Sequence, residues 1–172
     1  LPVPGRSWEG LARTLLAISK LGVVADLGVG SGELTLLLAQ ASTRLYAVDH
    51  QQSALQALAG RAPNLHLHLQ DFQELQLPEP IDCLFLSLSL HCVPDVDRSL
   101  SAAARALRPG GQLVVIELEA HDQDFGHPWP GFSPENLYTR IAAAGLHPSP
   151  ALPLSKDRRG LMTFLIRATK GG

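Results

Sequence analysis

Three glycines at alternate positions stand where an apolar run hands over to a helical pattern, in "VVADLGVGSGELTLLLAQ" (23–40). Gly28, Gly30 and Gly32 would let the backbone approach a bulky or anionic ligand, and the helix that follows offers unpaired N–H groups. Further residues able to do chemistry sit at the ends of other apolar runs. Asp49 closes "RLYAVD" and can accept hydrogen bonds from both hydroxyls of a ribose. Asp71 and Phe72 follow the alternating stretch "NLHLHLQ"; they pair a carboxylate, which accepts from an adenine amino group, with a ring that stacks. "SLSLHCV" (87–93) ends the longest apolar run and carries His91, titratable near neutrality. Singly, a glycine turn is as often structural, and a strand-terminal Asp as often a helix cap. In this order and spacing they describe an adenosine pocket, whose glycines and ribose acid an NAD site would share.

These residues need a frame that brings strand ends together. Buried strands are predicted at 23–27, 44–49 and 81–90, and an alternating, one-face-covered edge strand at 64–71. Helices are predicted over 31–41, "QQSALQALAGR", and "DVDRSLSAAARAL" closed by "RPGG". "QLVVIELEA" is a further strand, and "SPENLYTRIAAAG" a helix capped by Ser133 with Pro134 at its first position. Trp8, Leu11, Leu15, Leu16 and Ile18 mark an N-terminal helix with Ser7 as cap and Gly22 as stop. Two strands close the chain, near 147–152 and 161–169, joined by a loop at 153–160. Alternating strands and helices predict a doubly wound, three-layer α/β/α fold with a mostly parallel sheet. The last two strands have no helix between them and must pair antiparallel or lie apart.

The 172 residues suit a single domain, divided into an N-terminal helix (1–22), a core (23–119) and a C-terminal helix with a strand hairpin (120–172). A net charge of −2 with no basic run gives no electrostatic footprint for nucleic acid. No apolar stretch is long enough for a membrane span. Two cysteines, Cys83 inside an apolar run and Cys92 just beyond it, argue against a disulfide framework and fit the reducing cytoplasm.

The pieces "VADLGVGSG", "YAVDHQQSALQAL", "LQDFQELQLP", "IDCLFLSLSLHCVPD" and "ALRPGGQLVVIE" together resemble a class I S-adenosylmethionine-dependent methyltransferase of the methyltransferase-11-like kind. The Asp two residues before the first glycine, and "LRPGG" before the fifth strand, separate this resemblance from NAD folds. It implies a seven-stranded Rossmann-like sheet with an antiparallel last strand. It also implies that S-adenosylmethionine binds and leaves as S-adenosylhomocysteine. Asp26 would order the glycine loop or touch the amino-acid end of the cofactor, which Gly28, Val29, Gly30 and Gly32 would line. Val29 stands where Cys or Gly is common, and its side chain is expected to crowd the cofactor. Asp49 would hold the ribose, His50 flank the adenine, Asp71 and Phe72 read it, and Ser87 and Leu88 border the sulfonium. "PGRSWEGLA" and "GHPWPGFSPENL" resemble methyltransferase domains fused behind winged-helix repressors of the arsenic-responsive type, which would fit the non-Met start.

The reaction so implied is in-line displacement onto a small-molecule acceptor, with His91 as general base if the acceptor is protonated. His121, Asp122, Asp124 and His127 are read as a solvated polar loop rather than a metal site, and no metal is expected. Trp8, Trp129 and Phe132 either wall the methyl group or pack the core. The regions that usually supply a substrate lid are short, so the site is expected to be open, or roofed by another domain or subunit. A second reading is a non-catalytic sensor of S-adenosylmethionine or S-adenosylhomocysteine; a third is NAD-dependent oxidoreduction.

Overall fold

The computed structural model describes residues 21–156 and 160–172. The expected N-terminal helix, with Ser7 and Trp8, lies outside the described residues, as do residues 157–159 of the expected loop. The elements run β1 (Val23–Leu27), α1 (Glu33–Ala41), β2 (Arg44–Asp49), α2 (Gln52–Gln56), β3 (Leu65–Leu69), β4 (Ile81–Ser87), α3 (Val96–Ala106), β5 (Leu107–Leu118), α4 (Pro134–Ala143), β6 (Leu146–Pro148), β7 (Leu152–Lys156) and β8 (Met162–Lys170). Short 3₁₀ turns occupy Phe72–Glu74 and Leu90–Cys92.

One sheet runs in the order β3-β2-β1-β4-β5-β8-β6, with β7 also on β8. The first five of these strands are parallel, and β8 is antiparallel to β5. Successive strand residues face opposite sides. Ala25 and Leu27 of β1 share one core with Leu100 and Ala103 of α3 and Leu137 and Ile141 of α4. Val24 of β1 packs with Leu34 and Leu38 of α1. Ala47 of β2 meets Leu55 of α2. Helices thus cover both faces, as the alternation predicted. Strand order reverses between β1 and β4, which opens a crevice at their carboxyl ends.

The helix starts follow their caps. Asp95 accepts from the Arg98 N–H at 2.9 Å and opens α3, and Ser133 accepts from the Asn136 N–H at 3.1 Å and opens α4. Elsewhere the boundaries differ from expectation. The second predicted helix is only Gln52–Gln56, followed by turns. That short helix leaves the leucine face of β3 largely uncovered: Leu67 is 36% and Leu69 56% exposed, while His68 is half-buried beside Tyr46. "RPGG" belongs to the irregular start of β5, where the pairing register with β4 shifts. The long apolar strand stops at Ser87, because Leu88 adopts a left-handed backbone (φ 52°).

The expected seven strands appear as eight, because one edge strand is broken. β6 and β7 both pair with the outer edge of β8, and the Ser149 N–H between them donates to Arg167 O at 2.7 Å. Part of the expected loop, 153–156, is therefore strand. Pro148, Pro150 and Pro153 lack an N–H and are tolerated because this is an edge.

Candidate functional site

The carboxyl ends of β1, β2 and β4 surround a cavity of about 410 Å³, lined among others by Gly28, Gly30, Asp49, Asp71, Phe72 and Ser89. That size suits a small-molecule ligand, for which pockets run roughly 300–1,000 Å³. Gly28 has φ +83°, and its N–H donates to Val48 O at 2.8 Å, so the bond to β2 runs one residue past β1 before the chain turns. A Cβ on Gly28 would stand 2.6 Å from Ser89 Cβ and 3.1 Å from Phe72 Cζ. Gly30 also has a positive φ (52°), yet a Cβ there would meet nothing within 4 Å.

Asp49 is buried at the end of β2. Its Oδ1 accepts from the Gln51 N–H at 2.8 Å. The described residues give Oδ2 no donor, so one carboxylate oxygen remains available to a ligand hydroxyl. Asp49 is not the cap residue of α2; that position is Gln51. The Ser89 hydroxyl is buried without a hydrogen-bond partner and belongs to the same cavity wall. Asp71 caps the first 3₁₀ turn, accepting from the Gln73 N–H at 2.8 Å. His50 is exposed at the rim, and Leu88 lines the wall.

Other predicted site residues stand apart from the cavity. Val29 is buried against Ala47, Leu55 and Leu58, so its side chain points into the core and does not crowd the cavity as expected. Gly32 is the N-cap position of α1, where a Cβ would strike Leu58 at 2.5 Å. Ser87 carries a buried, unpartnered hydroxyl but is not part of the cavity lining. Asp26 is fully buried and accepts from Thr35 Oγ1 at 2.6 Å, which ties β1 to α1. It therefore braces the glycine turn and does not reach the lining.

Burial pushes the Asp26 carboxyl up to about 7, against the Thr35 hydrogen bond and with help from the charge of Asp49. A raised carboxyl pKa favours the folded state only while that state keeps an extra proton. This contribution is full below 3.8, the ordinary value, and is lost as pH rises to about 7. At 1.36 kcal/mol per pKa unit, about 4 kcal/mol disappears across that window. Asp26→Asn keeps an acceptor for Thr35 and carries no charge. Urea unfolding should therefore lack the stability loss between about pH 4 and 7 in the variant and show about 4 kcal/mol of added stability at pH 8. A variant no more stable than wild type at pH 8 rejects this account.

His91 has a partner that sequence reasoning missed. Glu117 ends the apolar stretch of β5 fully buried. Its carboxylate faces His91 Nδ1 at 2.8 and 2.9 Å and accepts the His91 N–H at 3.0 Å. A lone acid inside "LVVIEL" was the available signal. Burial opposes a charge on His91, but hydrogen bonds and charges from Cys92 and Glu117 outweigh it and push the ring up to about 10. The shift favours the doubly protonated ring, whose Nδ1 is taken up by Glu117.

A second cavity of about 320 Å³ follows β5, lined by His121 to Phe125, His127, Trp129 and Pro130. Trp129 stacks on Phe132 at 5.7 Å, and its indole N–H donates to Val93 O at 3.0 Å. Phe132 is buried in the core, and Arg140 lies 5.1 Å from the Trp129 ring centre. The two aromatics thus pack the core and fix the loop. Among the described residues, no helix is long and apolar enough to cross a membrane.

Comparisons with known proteins agree with this geometry. A family profile described as a methyltransferase domain matches residues 25–115. The trans-aconitate 2-methyltransferase of Deinococcus radiodurans is 37% identical over 102 residues, covering 58% of this chain and 39% of that protein. The ubiquinone/menaquinone biosynthesis C-methyltransferase UbiE of Methylococcus capsulatus is 30% identical over 129 residues, covering 69% of this chain and 52% of that protein. The chain thus spans only part of the length of the curated relatives it matches. In fold, it is similar to the N-methyltransferase NodS of Bradyrhizobium japonicum WM9 bound to S-adenosylhomocysteine, with a TM-score of 0.80 at 20% identity, covering 95% of this chain and 86% of that one. With a profile match across more than half its length, the chain belongs to the methyltransferase-domain family, among the class I S-adenosylmethionine-dependent methyltransferases.

Proposed function

We propose that this chain binds S-adenosylmethionine in the cavity between β1, β2 and β4 and transfers its methyl group to a small-molecule acceptor. The observation that carries the reading is the lining itself. A glycine turn that is open at Gly30 faces an aspartate with one uncommitted oxygen, beside a buried serine hydroxyl with no partner. Gly28 and Gly30 take the amino-acid end, Asp49 Oδ2 the ribose, and Phe72 and Asp71 the adenine.

The sulfonium of S-adenosylmethionine supplies a methyl group already activated for displacement by an acceptor lone pair. The work left to this chain is alignment and exclusion of water, which in well-oriented reactions lowers the barrier by about 7–11 kcal/mol. The cavity after β5 adjoins the site through Cys92 and His127 and offers room for the acceptor. His91, locked by Glu117, positions that wall and removes no proton.

Calorimetry with S-adenosylmethionine, S-adenosylhomocysteine and NAD tests the assignment. The first two should bind at a stoichiometry of one and NAD should not; tighter binding of NAD rejects the reading. Asp49→Asn retains the Gln51 contact through its amide oxygen but loses the charge and the second acceptor. A charge-assisted hydrogen bond contributes about 1.5–3 kcal/mol. S-adenosylhomocysteine affinity should therefore fall about tenfold to a hundredfold, with thermal stability unchanged. Wild-type affinity in this variant would remove Asp49 from the ribose contact.

A further inference from the structure

We infer that His91, Cys92 and His127 form a binding site for a zinc-type divalent cation in the wall between the two cavities. One ligand atom from each lies within 4.8 Å of the other two. Cys92 Sγ is 3.6 Å from His127 Nδ1, and the two imidazole rings meet edge-on with centroids 4.8 Å apart. Two imidazole nitrogens and a thiolate make a borderline-soft donor set that suits zinc and disfavours magnesium or calcium.

The spacing is close to what the ion needs. With zinc–nitrogen bonds near 2.0 Å and zinc–sulfur bonds near 2.3 Å, the tetrahedral ligand atoms of such a set sit roughly 3.3–3.5 Å apart. The widest gap must close by as much as about 1.3–1.5 Å, and Cys92 and His127 are exposed side chains.

The support around the ligands is already built. Glu117 holds His91 Nδ1 at 2.8 Å, which fixes the ring and directs Nε2 to the metal, the arrangement in which an outer carboxylate orients a ligating histidine. The Trp129 N–H donates to His91 O at 3.2 Å, and its indole to Val93 O. Those two bonds strap the loop bearing His127 to the turn bearing His91 and Cys92. Cys92 lines the proposed cofactor cavity and His127 the cavity after β5. Three protein ligands leave a fourth place open. Binding displaces the Cys92 thiol proton and the His91 Nε2 proton, both released to solvent.

The test uses untagged protein stripped with chelator, without cofactor, so its outcome is separate from that of the methyl-transfer reading. Zinc(II) calorimetry should give one ion per chain, and cobalt(II) should give a thiolate-to-metal charge-transfer absorption. Cys92→Ser should abolish that absorption. His127→Gln should weaken zinc by about tenfold or more, and Glu117→Gln by about tenfold to a hundredfold. His66→Gln, on the distant β3 edge, should change neither. Circular dichroism confirms that the exposed Cys92 and His127 variants are folded. Sub-stoichiometric zinc, a cobalt spectrum without the thiolate band, or zinc affinity unchanged in both Cys92→Ser and His127→Gln overturns the site.

Discussion

Replacing His91 by Leu should destabilise the metal-free protein by about 3–5 kcal/mol, read by chemical denaturation at pH 7. The loss comes from Glu117 more than from His91. Glu117 is fully buried, and His91 supplies both its Nδ1 contact and a backbone N–H. Leu retains the backbone donor and removes the ring, which leaves a carboxylate in the core without its counter-charge. The double variant His91→Leu with Glu117→Leu removes both members and should recover most of that loss. A coupling of several kcal/mol is therefore expected in the double-mutant cycle. A single-variant loss below about 1 kcal/mol would mean that Glu117 is satisfied by other means.

Gly28→Ala should abolish measurable S-adenosylhomocysteine binding, whereas Gly30→Ala should not. At Gly28 two costs coincide. A left-handed backbone costs an L-residue about 1–2 kcal/mol, and the new Cβ would overlap Ser89 and crowd Phe72, an overpacking of about 1–3 kcal/mol. Both displaced residues line the cavity, so relief of the clash reshapes the site itself. Cofactor affinity should fall by a hundredfold or more, since each 1.4 kcal/mol is about tenfold. Gly30 shares the backbone cost, and its Cβ would displace no protein atom and meet only the edge of the cavity. Calorimetry on both variants, with thermal melts beside it, reads the contrast. Equal loss at the two positions would refute the steric account.

Much of the frame was legible because it rests on local signals. Period marked α3, period and the Ser133 cap marked α4, and the three glycines marked the turn after β1. Strand-end position had already suggested the roles of Asp49 and Phe72, and both line the cavity. What escaped the sequence depends on pairing between distant strands. Glu117 meets His91, and His127 meets Cys92, only because β5 lies beside β4 and its following loop folds back. Side-chain direction within the glycine turn was also hidden, so Val29 was assigned to the cofactor although it faces Leu55. The leucines of β3 alternate correctly, but the shortness of α2 decides that they stay wet.

The broken edge strand has a consequence for the order of assembly. Among the described residues β6 and β7 pair only with β8, and β8 also supplies the antiparallel neighbour of β5. A ribosome makes β8 after every strand it joins. Until residues 162–170 emerge, the apolar strand β5 carries an open edge of unpaired donors and acceptors, the kind of surface that recruits chaperones or other chains. The parallel strands β1 to β4 have all their partners earlier. The half of the sheet that shapes the ligand cavity can thus form before the half that seals it.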